Sequence, residues 1–253
     1  MKILAISDWH GKEKVLSQLA SAIKGLSLDA VVFTGDILQW RAKCSEWANA
    51  RKENRKPQAD LPEIKEEIEE NAKVYTTFYK SMIDLDLPVF CIPGNVDAPA
   101  TQYWRLAFDA VEENPKLRIV HTSFSGLGGF FVNGFGGELC EEEGEDFFVL
   151  RYSRHDIEPF IRFLSIISAL KIILTHPPPV GSLDTDDGKH KGSRAVNHLI
   201  NGCRSAWLFC GHAHAARGYE LIGRCMVVNP GALKNGFYAL IDTDTRAVEL
   251  KTL

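Results

Sequence analysis

The chain opens with MKILAISDWHG (residues 1–11), in which an aliphatic run leads directly to a carboxylate and then to an imidazole. The run MKILAI has the composition of a buried strand, and Asp8 and His10 follow where that strand ends. Residues two apart in extended chain point to the same side, so these two side chains can reach one point in space. A polar loop after a strand would look the same, so the interpretation depends on how the other strands end.

Four more apolar runs end in polar side chains of the same kinds. AVVFTG leads to Asp36, PVFCIPG to Asn95, KIILT to His176, and AWLFCG to His212 and His214. Helical patterns separate several of these runs, which is typical of parallel strands with helices on the outside. In such sheets ligand-binding groups gather beyond the carboxyl ends of the strands, so all these side chains are predicted at one edge.

Length and composition limit the classes of protein to which the chain can belong. With 253 residues, 45% hydrophobic and 25% charged, it fits a soluble α/β protein, which we expect to be a single domain over 1–253. The net charge of −4 gives no reason to expect nucleic acid as a partner. No apolar run approaches the roughly 18 residues of a membrane helix. The N-terminus lacks a signal-peptide pattern, so we expect a cytoplasmic protein without membrane contact.

Two regions depart from the alternation of strands and helices. Residues 39–86 are predicted to be a helical insertion, because apolar side chains from 64 to 82 fall close to helical spacing. Its first half is basic and its second half is acidic, and we interpret the two as solvated faces that pair with each other. The alternative is that the basic half contacts a substrate phosphate. After residue 118, short strands and glycines favour a second, more antiparallel sheet, which includes the C-terminal strands. A hairpin turn is predicted there at Asn133–Gly134.

The side chains predicted at the common edge include two carboxylates, one amide and four imidazoles. They are Asp8, His10, Asp36, Asn95, His176, His212 and His214. One divalent ion needs only three or four such ligands, so the set is too large for a single site. If one carboxylate bridges, the set supplies four bonds to each of two ions, and Asp36 is the natural bridge as the lone ligand of its strand. The mixture of donors fits manganese, iron, zinc or nickel.

The motifs DWH (8–10), GD (35–36), GNVD (94–97), TH (175–176) and GHAH (211–214), in this order, resemble the calcineurin-like metallophosphoesterase superfamily. The resemblance implies a four-layer αββα sandwich of two mixed β-sheets, metallo-dependent phosphatase-like, with a dinuclear metal site at their top edge. It implies that one metal takes Asp8, His10, Asp36 and His214, and that the other takes Asp36, Asn95, His176 and His212. It further implies a hydrolase of small phosphate esters with a bridging hydroxide as the nucleophile.

Val96 departs from the pattern of this family. In many members the asparagine is followed by a histidine that contacts the phosphate and can protonate the leaving group, and valine can do neither. The resemblance therefore shifts toward small prokaryotic phosphodiesterases of the family, and Asp97 is left to orient a ligand or a loop. We expect a phosphodiesterase. The alternatives are a phosphomonoesterase, including one acting on phosphoproteins, and a non-catalytic protein-binding scaffold on the same fold.

His190 is the one candidate for an acid in place of the missing histidine. It lies in the loop PPPVGSLDTDDGKHKGS (177–193), whose glycines and charges suit a lid over the metal site. A solvated loop whose lysines pair with neighbouring aspartates is the alternative. The acidic run ELCEEEGED (138–146) is interpreted as a solvated loop, and the sequence is compatible with a homo-oligomer.

Overall fold

The fold is known from a computed structural model, which describes residues 1–139, 144–145, 147–181, 183–203 and 205–253. Most of the acidic run 138–146 lies outside the described residues, as does Ser182 of the predicted lid. Within the described part of the chain, no helix combines the length and the apolar character that crossing a membrane requires.

Helices separate the strands of the first 119 residues, and strands predominate in the described residues after that. The strands are β1 (Lys2–Ile6), β2 (Ala30–Phe33), β3 (Val89–Cys91), β4 (Leu117–Ile119), β5 (Phe124–Leu127), β6 (Phe130–Phe135), β7 (Glu138–Leu139), β8 (Gly144–Glu145), β9 (Leu150–Tyr152), β10 (Lys171–Thr175), β11 (Thr185–Asp186), β12 (Lys189–His190), β13 (Ser205–Phe209), β14 (Gly218–Ile222), β15 (Cys225–Asn229), β16 (Phe237–Asp242) and β17 (Ala247–Thr252). The α-helices are α1 (Glu13–Ile23), α2 (Ala42–Lys52), α3 (Pro62–Ile83), α4 (Ala100–Glu113), α5 (Arg154–Ile166) and α6 (Arg194–Gly202), and Leu233–Asn235 form a 3₁₀-helix.

Two six-stranded mixed sheets form the centre of the protein. The first has the order β17-β16-β1-β2-β3-β4, with β1 to β4 parallel and with β16 and β17 antiparallel. The second has the order β14-β15-β13-β10-β6-β5, with a parallel centre and an antiparallel strand at each edge. Both sheets direct the carboxyl ends of their parallel strands toward the predicted ligands.

Three layers of apolar side chains hold the sheets and helices together. The middle layer joins the two sheets through residues such as Ile3, Phe90 and Trp207. One outer layer packs α1, α3 and α4 on the first sheet, and the other packs α5 and α6 on the second. Strands β1 and β2 are therefore covered on both faces, which explains their unbroken aliphatic runs. The predicted four-layer αββα sandwich is confirmed.

The hairpin predicted at Asn133–Gly134 is wrong, because both residues lie inside β6. The turn falls instead at Gly128 and Gly129, whose φ angles of 54° and 85° suit a tight hairpin. Asn133 is buried, and its amide donates to the carbonyl oxygens of Phe131 and Ile172. This Asn-Gly pair therefore lies inside a strand, where backbone carbonyl oxygens accept hydrogen bonds from the asparagine amide.

The C-terminal strands divide between the two sheets, whereas the sequence analysis placed them together in a second sheet. Strands β14 and β15 do belong to the second sheet. Strand β16 pairs antiparallel with β1, from Lys2 opposite Asp242 to Ala5 opposite Ala239, and thereby completes the first sheet. Short alternating strands carry no signal for which sheet they join, because both sheets offer the same kind of apolar face.

Helices α2 and α3 occupy the region 39–86 between β2 and β3. The carboxylate of Glu67 on α3 accepts hydrogen bonds from the backbone N–H groups of Arg41, Ala42 and Lys43, which begin α2. These N–H groups have no partner within their own helix, so Glu67 satisfies them and ties the two helices together. The basic and acidic halves also pair through Arg41 and Glu70, 3.3 Å apart. That the region is an insertion into a single domain stays a prediction.

His121 is a buried histidine of the protein core. Its Nδ1 accepts a hydrogen bond of 2.8 Å from the backbone N–H of Gly136, and its ring contacts Trp104, Phe135 and Tyr152. Burial lowers the pKa of this imidazole to about 3, so the ring stays neutral in the folded protein at ordinary pH.

Stability is therefore expected to fall as pH drops from about 6.5 toward 3, because the unfolded chain protonates His121 in that window and the folded chain does not. This residue alone should cost about 2 kcal/mol between pH 7 and pH 5. Urea unfolding of the metal-free protein at both pH values measures the loss. His121→Gln keeps an acceptor for Gly136 and should lose less stability. An equal loss in both proteins would contradict the assignment.

Candidate metal centre

The loops that follow the parallel strands are joined to one another at one edge of the two sheets. The backbone N–H of Asp8 donates to the carbonyl oxygen of Gly35 at 2.9 Å, and that of His10 donates to Asp36 at 3.1 Å. In the second sheet, the N–H of Gly211 donates to the carbonyl oxygen of His176 at 2.9 Å. Backbone hydrogen bonding thus continues past the strand ends and holds the polar side chains side by side.

Four of the predicted ligand residues have left-handed backbone conformations. The φ angles are 54° at Asp8, 51° at His10, 64° at Asp36 and 65° at His212. This conformation costs a non-glycine residue about 1–3 kcal/mol, and such strain concentrates at functional sites. The strain turns each side chain out of the strand direction and toward the common edge.

Glycines before the ligands allow the loops to approach one another closely. A Cβ atom at Gly94 would collide with the backbone N and side chain of Asp36, and one at Gly211 would collide with Ser7 and Asp8. The glycines of the GNVD and GHAH motifs are therefore required by contact between loops. Any side chain at these positions would push the carboxylates of Asp8 and Asp36 out of the site.

The first of two ligand groups in the described part of the chain is formed by Asp8, His10, Asp36 and His214, whose ligand atoms lie within 4.8 Å of one another. His10 Nδ1 donates to the carbonyl oxygen of Leu38 at 2.7 Å, so the proton of the neutral ring is on Nδ1 and Nε2 faces the group as an acceptor. Nε2 of His214 lies 3.2 Å from Nε2 of His10 and 3.2 Å from Oδ1 of Asp8.

The second group is formed by Asp36, His176 and His212, within the same 4.8 Å limit. His176 Nδ1 donates to the carbonyl oxygen of Thr34 at 2.8 Å, and this bond turns Nε2 toward the group. The side-chain oxygen of Asn95 lies 2.9 Å from His176 Nε2 and 3.2 Å from His212 Nδ1. Several acceptor atoms therefore point at one place, an arrangement that a metal cation satisfies.

Asp36 is common to both groups. Its Oδ2 lies 3.7 Å from His10 Nε2 and 3.5 Å from His176 Nε2, between the two sets of imidazoles. Its Oδ1 accepts a hydrogen bond of 3.0 Å from the backbone N–H of Val96, which fixes the carboxylate in orientation. This shared position is what a bridging ligand requires.

Electrostatics in the site favour positive charge next to the carboxylates. Burial by itself would raise the pKa of Asp36, but the adjacent His176 and His10 rings lower it well below its usual range. Burial also lowers the pKa of His10, and it lowers that of His212 to about 3, so both rings are held in the neutral form that binds metals. Burial by itself would lower the pKa of His176, but Asp36 raises it to about 9, so this ring carries a proton that a metal ion would displace. The donor set thus fits divalent metal ions, and their binding would release this proton.

Asp97 binds backbone rather than facing either group. Its Oδ2 accepts from the N–H groups of Asp36 (3.0 Å) and Gly94 (2.7 Å), and its Oδ1 accepts from those of Ile37 (2.9 Å) and Leu38 (3.2 Å). The side chain is fully buried. Asp97 therefore joins the loop that carries Asp36 to the loop that carries its own motif.

The structure brings all seven predicted ligand residues together, and their role in binding metal stays a prediction. His190 is not among them. Its side chain is 75% exposed, and its Nδ1 lies 3.1 Å from the buried carboxylate of Asp184. The adjacent Lys191 forms an ion pair of 2.6 Å with Asp186, whose other oxygen accepts from the backbone N–H of Ala215. The loop thus borders the site, and contact of His190 with substrate stays a prediction.

Sequence reasoning missed the segment Asn229–Asn235, which also reaches this edge. The amide of Asn229 donates to the carbonyl oxygen of Ala213 at 3.0 Å, and the N–H of Lys234 donates to the carbonyl oxygen of Asp8 at 3.1 Å. The same rule would have found Asn229, because the apolar run CMVV ends there just as the other runs end at their polar residues, but it does not extend to Lys234.

Comparisons with known proteins agree with this geometry. The family model described as metallophosphoesterase, calcineurin superfamily, matches residues 1–253. One solved crystal structure is 32% identical, with a TM-score of 0.88, and the match covers 99% of this chain and 98% of that one. The structure of TT1561 from Thermus thermophilus is 25% identical, with a TM-score of 0.76, and the match again covers 99% of this chain and 98% of that one. The uncharacterized protein MJ1162 from Methanocaldococcus jannaschii is 26% identical over 174 residues, which are 65% of this chain and 72% of that protein.

Proposed function

Because this chain belongs to the calcineurin superfamily of metallophosphoesterases, we propose that it hydrolyses phosphodiesters at a site that holds two divalent metal ions. Members of the family are metal-dependent hydrolases acting on phosphoester bonds. The observation that carries the proposal of two ions is the position of Asp36, whose one carboxylate belongs to both ligand groups. Asp8, His10 and His214 would hold one ion with it, and Asn95, His176 and His212 the other.

Each part of the site has a role in such a reaction. Two divalent ions held by these residues would supply Lewis acidity for the phosphoryl oxygens and would lower the pKa of a water molecule. The chain keeps the imidazoles of His10 and His176 in a fixed tautomer through the carbonyl oxygens of Leu38 and Thr34. The Val96 N–H orients Asp36. The left-handed loops hold the ligands in place before substrate binds, so little reorganisation is needed in the reaction.

The preference for diesters rests on the side chain at position 96. The backbone of Val96 is held on both sides, since its N–H donates to Asp36 and its carbonyl oxygen accepts from the Trp40 indole at 2.8 Å. Its side chain is partly buried against the outer core of the first sheet and has no proton to give. A leaving group of low pKa departs without protonation, whereas an alkoxide requires a general acid. The site therefore suits esters with good leaving groups, and among these we propose activated diesters as substrates.

A substrate series tests the proposed function directly. The Mn²⁺-loaded protein is expected to hydrolyse bis(4-nitrophenyl) phosphate faster than 4-nitrophenyl phosphate, a monoester with the same leaving group, and faster than alkyl phosphate monoesters. A chelator should abolish the activity. Faster hydrolysis of either kind of monoester would overturn the diester assignment. Absence of any hydrolysis by protein with full metal loading would favour the non-catalytic scaffold.

Val96→His is expected to raise the hydrolysis of alkyl monoesters at least about tenfold more than that of the aryl diester, because only the former needs a proton donor. Val96→Ala is the matched control, since it removes the same packing without adding an acid. We expect the alanine variant to change both substrates alike. Equal changes in the histidine variant would show that the lack of an acid at this position does not set the preference.

A further inference from the structure

The 3₁₀-helix Leu233–Asn235 brings a lysine to the metal centre. The backbone N–H of Leu233 donates to the carbonyl oxygen of Ser7 at 2.7 Å, and that of Lys234 donates to Asp8 at 3.1 Å. On its other side, the segment is anchored by Asn229, which donates to Ala213 within the GHAH motif. The carbonyl oxygens of Ser7, which precedes Asp8, and of Ala213, which lies between His212 and His214, thus both hold this segment in place.

Lys234 is a partly buried cation. In the part of the chain that the structure describes, its ammonium forms no hydrogen bond or salt bridge. The hydrogen bond from its backbone N–H to the carbonyl oxygen of Asp8 places the residue beside the first ligand group. Burial lowers the pKa of its ammonium, and the charges of Asp8, Asp36 and Asp186 oppose that decrease. By contrast, the neighbouring Lys191 is neutralised by Asp186 at 2.6 Å.

A cation at this position conflicts with metal binding unless an anion lies between them. Like charges in one partly buried site repel each other, so an unpaired lysine beside the ligand groups weakens the binding of divalent ions. An anionic substrate removes the conflict, because its oxygens accept from the ammonium on one side and contact the metals on the other.

We propose that Lys234 binds the phosphate of the substrate, as a cation on the side of the site formed by Asp8 and His10. The proposal rests on the proposed function, since it assigns a substrate contact within the same site. Lys234 would supply a phosphate-binding group in a site where the family's phosphate-contacting histidine is replaced by Val96. As a point charge, a lysine stabilises the bound phosphate without needing to transfer a proton.

Calorimetric titration of the Mn²⁺-loaded protein with inorganic phosphate tests the proposal without turnover. Lys234→Met, which keeps the length of the side chain and removes its charge, should weaken phosphate binding at least tenfold. The affinity for Mn²⁺, measured separately, should stay the same or increase. Lys234→Arg keeps the cation and should stay within about threefold of the wild type. If the methionine variant does not fold, Lys234→Gln replaces it in the same comparison.

Lys116→Met is the matched control, because Lys116 precedes β4 at the opposite edge of the first sheet and pairs there with Asp86. It should leave both affinities unchanged. Unchanged phosphate affinity in Lys234→Met would overturn the proposal and leave the proposed function intact. Weaker binding of both phosphate and Mn²⁺ would indicate a structural role and would also overturn it. Wild-type protein that is loaded with metal and binds no phosphate would also overturn the proposal. Absence of diester hydrolysis by the same metal-loaded protein would instead contradict the proposed function.

Discussion

Asp36→Asn is expected to lower phosphodiester hydrolysis by at least about 10³-fold, equivalent to roughly 4 kcal/mol of transition-state stabilisation, and to reduce the bound metal. The substitution preserves the shape of the side chain and removes its charge. The Val96 N–H would keep the amide oxygen, so the amide NH₂ would face the imidazoles of His10 and His176. Both ligand groups would therefore lose their common anionic ligand in one change.

Elemental analysis of the purified variant, together with the diester assay, measures both effects. Asp184→Asn is the matched control, because Asp184 is equally buried and its carboxylate contacts the His190 ring instead of the ligand groups. The control should keep its metal and stay within about threefold of wild-type activity. Full metal loading of Asp36→Asn would contradict the assignment of Asp36 as a bridge.

The ligand residues could be predicted from sequence because one physical rule places them. Parallel strands that are buried on both faces have unbroken aliphatic runs, and the polar residues that follow each run lie at the common edge. Asp8, His10 and Asp36 follow such runs in the first sheet, and His176 and His212 do so in the second. The rule requires no knowledge of how the sheets are ordered.

Other features could not be predicted because they depend on contacts between distant segments. The role of Lys234 depends on hydrogen bonds to Ser7 and Asp8, more than 200 residues away in the chain. The antiparallel pairing of β16 with β1 carries no local signal. The exposed position of His190 follows from its bond to Asp184, whereas the sequence shows only that both lie in one charged loop. Local composition indicates which residues can bind, and tertiary contacts decide which of them meet.

Asp97→Asn is expected to lower the free energy of unfolding by at least about 2 kcal/mol, the largest loss that we predict for a single polar side chain. The carboxylate accepts four backbone N–H groups, two on each oxygen. An amide has only one oxygen, so its NH₂ group would face two N–H donors. Each buried donor left without a partner costs about 1–3 kcal/mol. Burial and the charge of Asp36 raise the pKa of Asp97 to about 7, so the side chain is a carboxylate only above that pH. Urea unfolding of the metal-free protein at about pH 8.5 measures the loss without a contribution from metal binding.

The same experiment separates a backbone-binding role of Asp97 from that of a metal ligand. If Asp97 bound metal directly, the asparagine variant would lose metal affinity while the metal-free protein kept its stability. The hydrogen bonds predict a different result. The metal-free variant should lose stability, and its metal affinity should fall as a consequence, because the loops carrying Asp36 and Gly94 separate. Asp86→Asn is the control, since the Asp86 side chain is 89% exposed and its surface pair with Lys116 contributes at most about 1 kcal/mol. A stability change no larger in Asp97→Asn than in Asp86→Asn would show that the four hydrogen bonds do not hold the loops together.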